Sequence, residues 1–96
     1  MNWSPLAISR LSEIAKYIAQ DNPVAAERWV HKVFALVEKL SDFPERGRMV
    51  PEINNKMIRE VIYGNYRVIY KLEDREMSIL TVRHVKQVLS IEALSK

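Results

Sequence analysis

Gly64-Asn65 sits between two runs rich in Ile, Val and Tyr, Met57 to Tyr63 and Tyr66 to Leu72, and a third such run, Met77 to His84, follows the polar stretch Glu73 to Glu76. Runs of β-branched and aromatic residues joined by a two-residue Gly-Asn turn predict an antiparallel hairpin, and the third run continues it into a second. This pairing constrains the chain more than any other feature. Once the turn sets Tyr63 opposite Tyr66, alternation along each strand assigns every side chain to one of two faces.

The N-terminal half reads as helical. Ser4-Pro5 is a cap-then-proline start, and Ile8, Leu11, Ala15 and Ile18 recur at helical spacing after it. Gln20-Asp21-Asn22 breaks that pattern, and Asn22-Pro23 repeats the start signal. A second helix is predicted from Pro23 to about Ser41, with Ala26, Val30, Val33, Val37 and Leu40 as its apolar stripe and Phe43-Pro44 as its stop. Trp29, Phe34 and Leu36 widen the stripe; core is their expected role, with part of the excess available as a docking face. The predicted fold class is α+β: an N-terminal two-helix hairpin packed on a small antiparallel sheet, with a short C-terminal helix within Gln87 to Leu94. Glu45 to Lys56, punctuated by Gly47 and Pro51, is expected to be a loop, and Asn2-Trp3-Ser4 is too brief to assign as a strand from pattern alone.

The hairpins sort the polar groups. Pairing Ile69 with Leu80 places Glu60, Arg67, Lys71 and His84 on one face with Ile58, Ile62, Ile69, Leu80 and Val82. The other face carries Met57, Val61, Tyr63, Tyr66, Val68, Tyr70, Leu72, Met77 and Ile79, with Arg59 and Arg83. The second set is the more apolar, so it is expected against the helices, leaving the first partly open.

A chain of 96 residues, 48% hydrophobic and 28% charged, fits one compact domain over 1–96. It contains no cysteine, which excludes disulfides and thiolate metal sites. Its start lacks the pattern of a signal peptide, and no apolar run approaches membrane-spanning length, so a soluble, cytoplasmic protein without membrane contact is expected. The net charge of +3 is a mild bias toward acidic or nucleic-acid partners, and ordinary domains often carry as much.

Arg67 falls mid-sheet, where a charge must be paired or aimed at a ligand. Glu60 on the neighbouring strand is a candidate partner, and a phosphate is the functional alternative. His84, flanked by Arg83 and Lys86, is either a base for RNA cleavage or a polar residue closing a strand. Arg46, Arg48, Lys56, Arg59, Arg67, Arg83 and Lys86, interleaved with Tyr63, Tyr66 and Tyr70, could hold phosphates and stack bases or form a solvated sheet edge. His31 is isolated on the second helix and reads as a surface residue. No metal-ligand spacing, glycine-rich phosphate loop or Ser/Cys nucleophile motif occurs, and no cofactor is expected.

Tyr17-Ile18-Ala19, Asn22-Pro23, Ala25-Ala26, Pro44-Glu45-Arg46-Gly47-Arg48, Arg59-Glu60, Tyr66-Arg67-Val68-Ile69-Tyr70 and Val82-Arg83-His84, in this order over nearly the whole chain, resemble the RelE/ParE superfamily of toxins. The resemblance implies a cognate antitoxin, a toxin-antitoxin hetero-oligomer, and one of two targets. RelE-like members cut mRNA in the ribosomal A site, whereas ParE-like members inhibit DNA gyrase and cleave no RNA. For an RNA cutter the resemblance implies Arg67, Arg59 and His84 as the catalytic set: Arg67 falls at a phosphate-contacting arginine, Arg59 at a position often basic, and His84 with Arg83 near the C-terminal catalytic group; Arg46, Arg48, Arg83 and Lys86 are implied as target or phosphate contacts. The pattern departs from that branch where Arg59 and Val61 replace a lysine pair and where Val85 and Leu89 stand near the catalytic tyrosine of some members. The long second helix and the Pro-Glu-Arg-Gly-Arg loop are more ParE-like. The expectation is therefore a ParE-like gyrase poison, with a RelE-like ribosome-dependent endoribonuclease and a non-toxic antitoxin-binding remnant as alternatives.

Overall fold

Ser4 connects two parts of the chain through one hydroxyl. Its Oγ accepts from the Ala7 N–H at 3.0 Å, capping a helix, and donates to the Leu80 carbonyl at 2.8 Å, tying that helix to a strand. In the computed structural model, which describes residues 1–87 with 89 and 94, the elements are β1 (Asn2–Trp3), α1 (Pro5–Ala19), α2 (Pro23–Asp42), a 3-10 turn (Pro44–Arg46), β2 (Arg48–Met49), β3 (Ile58–Tyr63), β4 (Tyr66–Glu73) and β5 (Glu76–His84). Asn22 caps α2 as Ser4 caps α1, its Oδ1 accepting from the Ala25 N–H at 3.1 Å, and prolines follow both caps. The expected C-terminal helix falls mostly on residues outside those described.

The sheet order is β1-β5-β4-β3-β2. The three long strands form the expected antiparallel meander, with Tyr63 opposite Tyr66, Ile62 opposite Arg67 and Glu60 opposite Ile69. Gly64 at φ 60 supplies the left-handed residue of the first turn, and Asp74 and Arg75, at φ 51 and 66, do so in the second. Two edge strands go beyond the pattern. Asn2–Trp3 runs parallel to β5, and Arg48–Met49 pairs with β3 inside what reads as a loop. Both are too short for a periodic signal.

The helices pack on one face of the sheet. Val33, Val37 and Leu40 of α2 and Ala7 and Leu11 of α1 meet Val68, Tyr70, Met77, Ile79 and Val82. The stripe of α2 is as expected. That of α1 is kept at Leu11, with Ala15 and Ile18 half-buried, and departs at its start, where Ala7 is fully buried and Ile8 is 47% exposed.

One assignment of the sheet faces is overturned. A β-bulge in β5 shifts the register, so that Ile69 pairs with Thr81 and Tyr70 with Ile79, leaving Leu80 as the extra residue. Beyond it the faces exchange. His84 now pairs with Tyr66 and Val82 with Val68, both on the helix side, and Arg83 pairs with Arg67 on the far side. The far face is partly open, as expected, with Ile62 48% exposed, but its middle is covered. Ile58 and Ile69 form a second buried cluster with Val50 of the loop after β2 and with Leu89.

Because Ser4 holds α1 at both its cap and its strand contact, Ser4→Ala is expected to lower stability by about 1–2 kcal/mol, within the range of lost N-caps. Urea unfolding followed by circular dichroism measures this; a change below a few tenths of a kcal/mol would show that neither bond contributes.

Candidate functional site

Glu60 organises the far face of the sheet. Its side chain is wholly buried, and its two oxygens accept from Arg67 Nε and from Arg48 Nε, each at 2.6 Å. A buried carboxylate is costly unless fully paired, and these two guanidiniums, from the strands on either side of β3, supply the pairing. Arg67 reaches further. It forms a two-pronged bond to Glu52, Nη1 at 2.7 Å and Nη2 at 2.9 Å, and Nη1 donates to the Gln87 carbonyl at 3.1 Å. Glu52 Oε2 also accepts from the Leu89 N–H at 3.1 Å. Four hydrogen bonds therefore occupy a side chain whose planar fork offers five donors.

The hydrogen bonds from Arg67 bring the Glu52 carboxyl from 4.5 down to about 2, and the same contacts raise the pKa of Arg67. The Glu60 partnership is legible in the sequence because the turn places the two residues on adjacent strands. Glu52 carries no such signal: it lies in an aperiodic loop, and only the closure of that loop over the sheet brings it to Arg67.

Arg59 lies on the opposite face. It pairs with Tyr70 on β4, and its Nη1 donates to the Glu45 and Gly47 carbonyls at 3.1 and 2.9 Å. Tyr70 Oη donates to the Pro44 carbonyl at 2.6 Å and accepts from the Gly47 N–H at 2.9 Å, and burial pushes its pKa up. Gly47 is required here, since a Cβ would collide with the Tyr70 hydroxyl and the Glu60 carbonyl. The anchored turn presents Arg46 over the exposed Phe43 ring at 5.5 Å and leaves Arg48 61% exposed beside its Glu60 bond.

His84 stands at the other end of the helix face. Its ring packs edge-on to Tyr66 at 5.6 Å, and Tyr66 packs in turn on Trp29 at 5.2 Å. The Lys86 N–H donates to His84 Nδ1 at 3.1 Å. Arg59 and His84 face positions four residues apart on β4, so about 13 Å of strand separates them. The three residues expected to cooperate in RNA cleavage are thus split: Arg67 on the far face, Arg59 and His84 at opposite ends of the helix face. Arg83 lies beside Arg67 in the register, and Lys86 is exposed just past the strand. Among the described residues, no cluster of three or more His, Asp or Glu could hold a metal, and no helix is long and apolar enough to cross a membrane.

A family model described as "ParE toxin of type II toxin-antitoxin system, parDE" matches residues 1–89. The chain belongs to the ParE toxin family. Among curated relatives, the Sinorhizobium fredii protein called "Putative toxin Y4kP" is 35% identical over 91% of this chain and 88% of its own length. "Toxin RelE2" of Caulobacter vibrioides is 29% identical over 85% of this chain and 90% of its own. A solved structure titled "Chromosomal ParDE TA system from P. aeruginosa" has the same fold, with a TM-score of 0.71 and 19% identity, covering 88% of this chain and 94% of that one.

Two measurements probe that network. Arg67→Ala strands the buried Glu60 charge with one partner and removes the Glu52 clasp, a loss of about 3–5 kcal/mol for breaking a buried pair; urea unfolding reads it directly. For Glu52, the folded pKa lies below the unfolded value, so its contribution is complete above 4.5 and disappears as pH falls through about 2. The stability difference between the natural chain and Glu52→Gln should therefore narrow over that window, as followed by unfolding at stepped pH.

Proposed function

We propose that this ParE-family toxin of a type II toxin-antitoxin system arrests growth by poisoning DNA gyrase and is neutralised by a cognate antitoxin protein. One observation carries the choice of target. Arg67, the residue that would clamp a phosphate in an RNA cutter, is 5% exposed and its guanidinium is committed to Glu60, Glu52 and the Gln87 carbonyl. A phosphate could reach it only by displacing Glu52 and exposing the cluster around Leu89. Ribonucleolytic attack by a 2'-hydroxyl also needs a base, an acid and a cation converging on one phosphodiester. The bulge in β5 places His84 on the opposite face from Arg67, which favours a mode of action without RNA chemistry.

The antitoxin follows from the family, and the ParDE title of the matched structure supports it. Purified toxin in stoichiometric excess over gyrase is expected to inhibit supercoiling of relaxed plasmid, and pre-incubation with its antitoxin to restore it; unimpaired supercoiling at that excess overturns the proposal.

The second reading, a ribosome-dependent endoribonuclease, is favoured by the relative named Toxin RelE2. It requires primer extension on translated mRNA to show A-site cuts that vanish in His84→Ala. Intact mRNA in growth-arrested cells removes it.

A further inference from the structure

β1 pairs with β5 only at Ser78 and Ile79, and α1 packs against β5. Where the helix and the strand end diverge they leave a pocket of about 320 Å³, walled by Arg10, Glu13, Tyr66, Arg83, His84 and Gln87. Its composition is dominated by hydrogen-bond donors. Arg83, which the register places on the far side, lines the pocket from the strand end, and guanidiniums such as those of Arg10 and Arg83 only donate. His84 Nδ1 is taken by the Lys86 N–H, so the neutral ring carries its proton on Nε2. Gln87 spends its Oε1 on the His84 N–H at 3.1 Å, which leaves its amide N–H groups as its remaining polar resource.

Among the described residues, the one anionic acceptor in the wall is Glu13. Both of its oxygens accept from Arg10 Nη1, at 3.1 and 3.0 Å. With side-chain exposures of 38% and 60%, this pair is solvated and readily exchanged for a better-placed carboxylate. The formal charges of Arg10, Arg83 and Glu13 sum to +1, which one carboxylate neutralises, and Glu13 opposes a polyanionic backbone. Tyr66 and Ile14 add apolar wall for an aliphatic stem.

We propose that this pocket receives an aspartate or glutamate side chain of a partner protein, with Glu13 holding Arg10 in place until it arrives. The assignment is independent of whether gyrase or the ribosome is the target. It names the chemistry a docking segment must present to the junction of α1 and β5.

The test is a titration of ¹⁵N-labelled toxin with a hexaglutamate peptide, using hexaglutamine as the uncharged control. Saturable amide shifts are expected at residues 10, 13, 66, 83, 84 and 87 with hexaglutamate only. Arg10→Gln and Arg83→Gln should each weaken binding by about fivefold to tenfold, as for loss of a charged hydrogen bond. Glu13→Gln, which removes the competing carboxylate, should tighten it by about threefold, and this variant keeps the test intact should Arg83→Gln fail to fold. Lys39→Gln, on the exposed face of α2, should leave it unchanged. The proposal is overturned if hexaglutamate leaves the pocket residues unshifted, if Lys39→Gln weakens binding as much as Arg10→Gln, or if Glu13→Gln weakens it. It is equally overturned if a single-stranded oligonucleotide of the same charge binds these residues more tightly, which would make them a phosphate site.

Discussion

The buried carboxylate of Glu60 is the constraint on which the far half of the molecule depends. An unpaired charge in the middle of a sheet is prohibitively costly, so Glu60 demands cations from both neighbouring strands, and Arg48 and Arg67 meet that demand at 2.6 Å each. The first of these explains why a two-residue strand forms at all, since Arg48–Met49 has little backbone pairing of its own. The second recruits Glu52 and the Gln87 carbonyl, which carry Val50 and Leu89 onto the apolar surface of Ile58 and Ile69. A chain of alternating charges thus closes a second hydrophobic cluster over a face that strand periodicity alone would leave exposed.

The sheet consequently has two faces with different economies. On the helix side, stability comes from apolar burial against α1 and α2, with Tyr70 and Arg59 holding the Pro44 to Arg48 turn by hydrogen bonds to its backbone. On the far side, it comes from charge pairing around Arg67. The bulge at Leu80 decides which of these environments each residue at the end of β5 enters. By moving His84 to the helix side it separates the imidazole from Arg67 and sets it beside Tyr66 and the α1 junction, turning a would-be catalytic pair into two unrelated contacts.

Much of this was readable from local chemistry. Ser4-Pro5 and Asn22-Pro23 start the helices where cap and proline geometry require, and Gly64-Asn65 fixes the first hairpin, because each depends on only a few consecutive residues. From that register the Glu60 and Arg67 partnership follows. The bulge is marked in Met77 to His84 only by the apolar doublet Ile79-Leu80, where the alternation breaks; no glycine or proline accompanies it, and two adjacent apolar residues do not by themselves specify an extra residue in the ladder. Glu52 was hidden for a related reason, since a loop residue has no period from which its neighbours can be inferred.

The amino-acid sequence by itself therefore determined the helix hairpin, the antiparallel meander, the family resemblance and the identity of the charged residues, all of which rest on local propensity and short-range pairing. Only the tertiary structure decided which face those residues occupy and whether they are free. Arg67 is committed and His84 is turned away from it because loop closure and strand register are set by contacts between residues distant in the chain, where the cost of burying Glu60 outweighs any local preference.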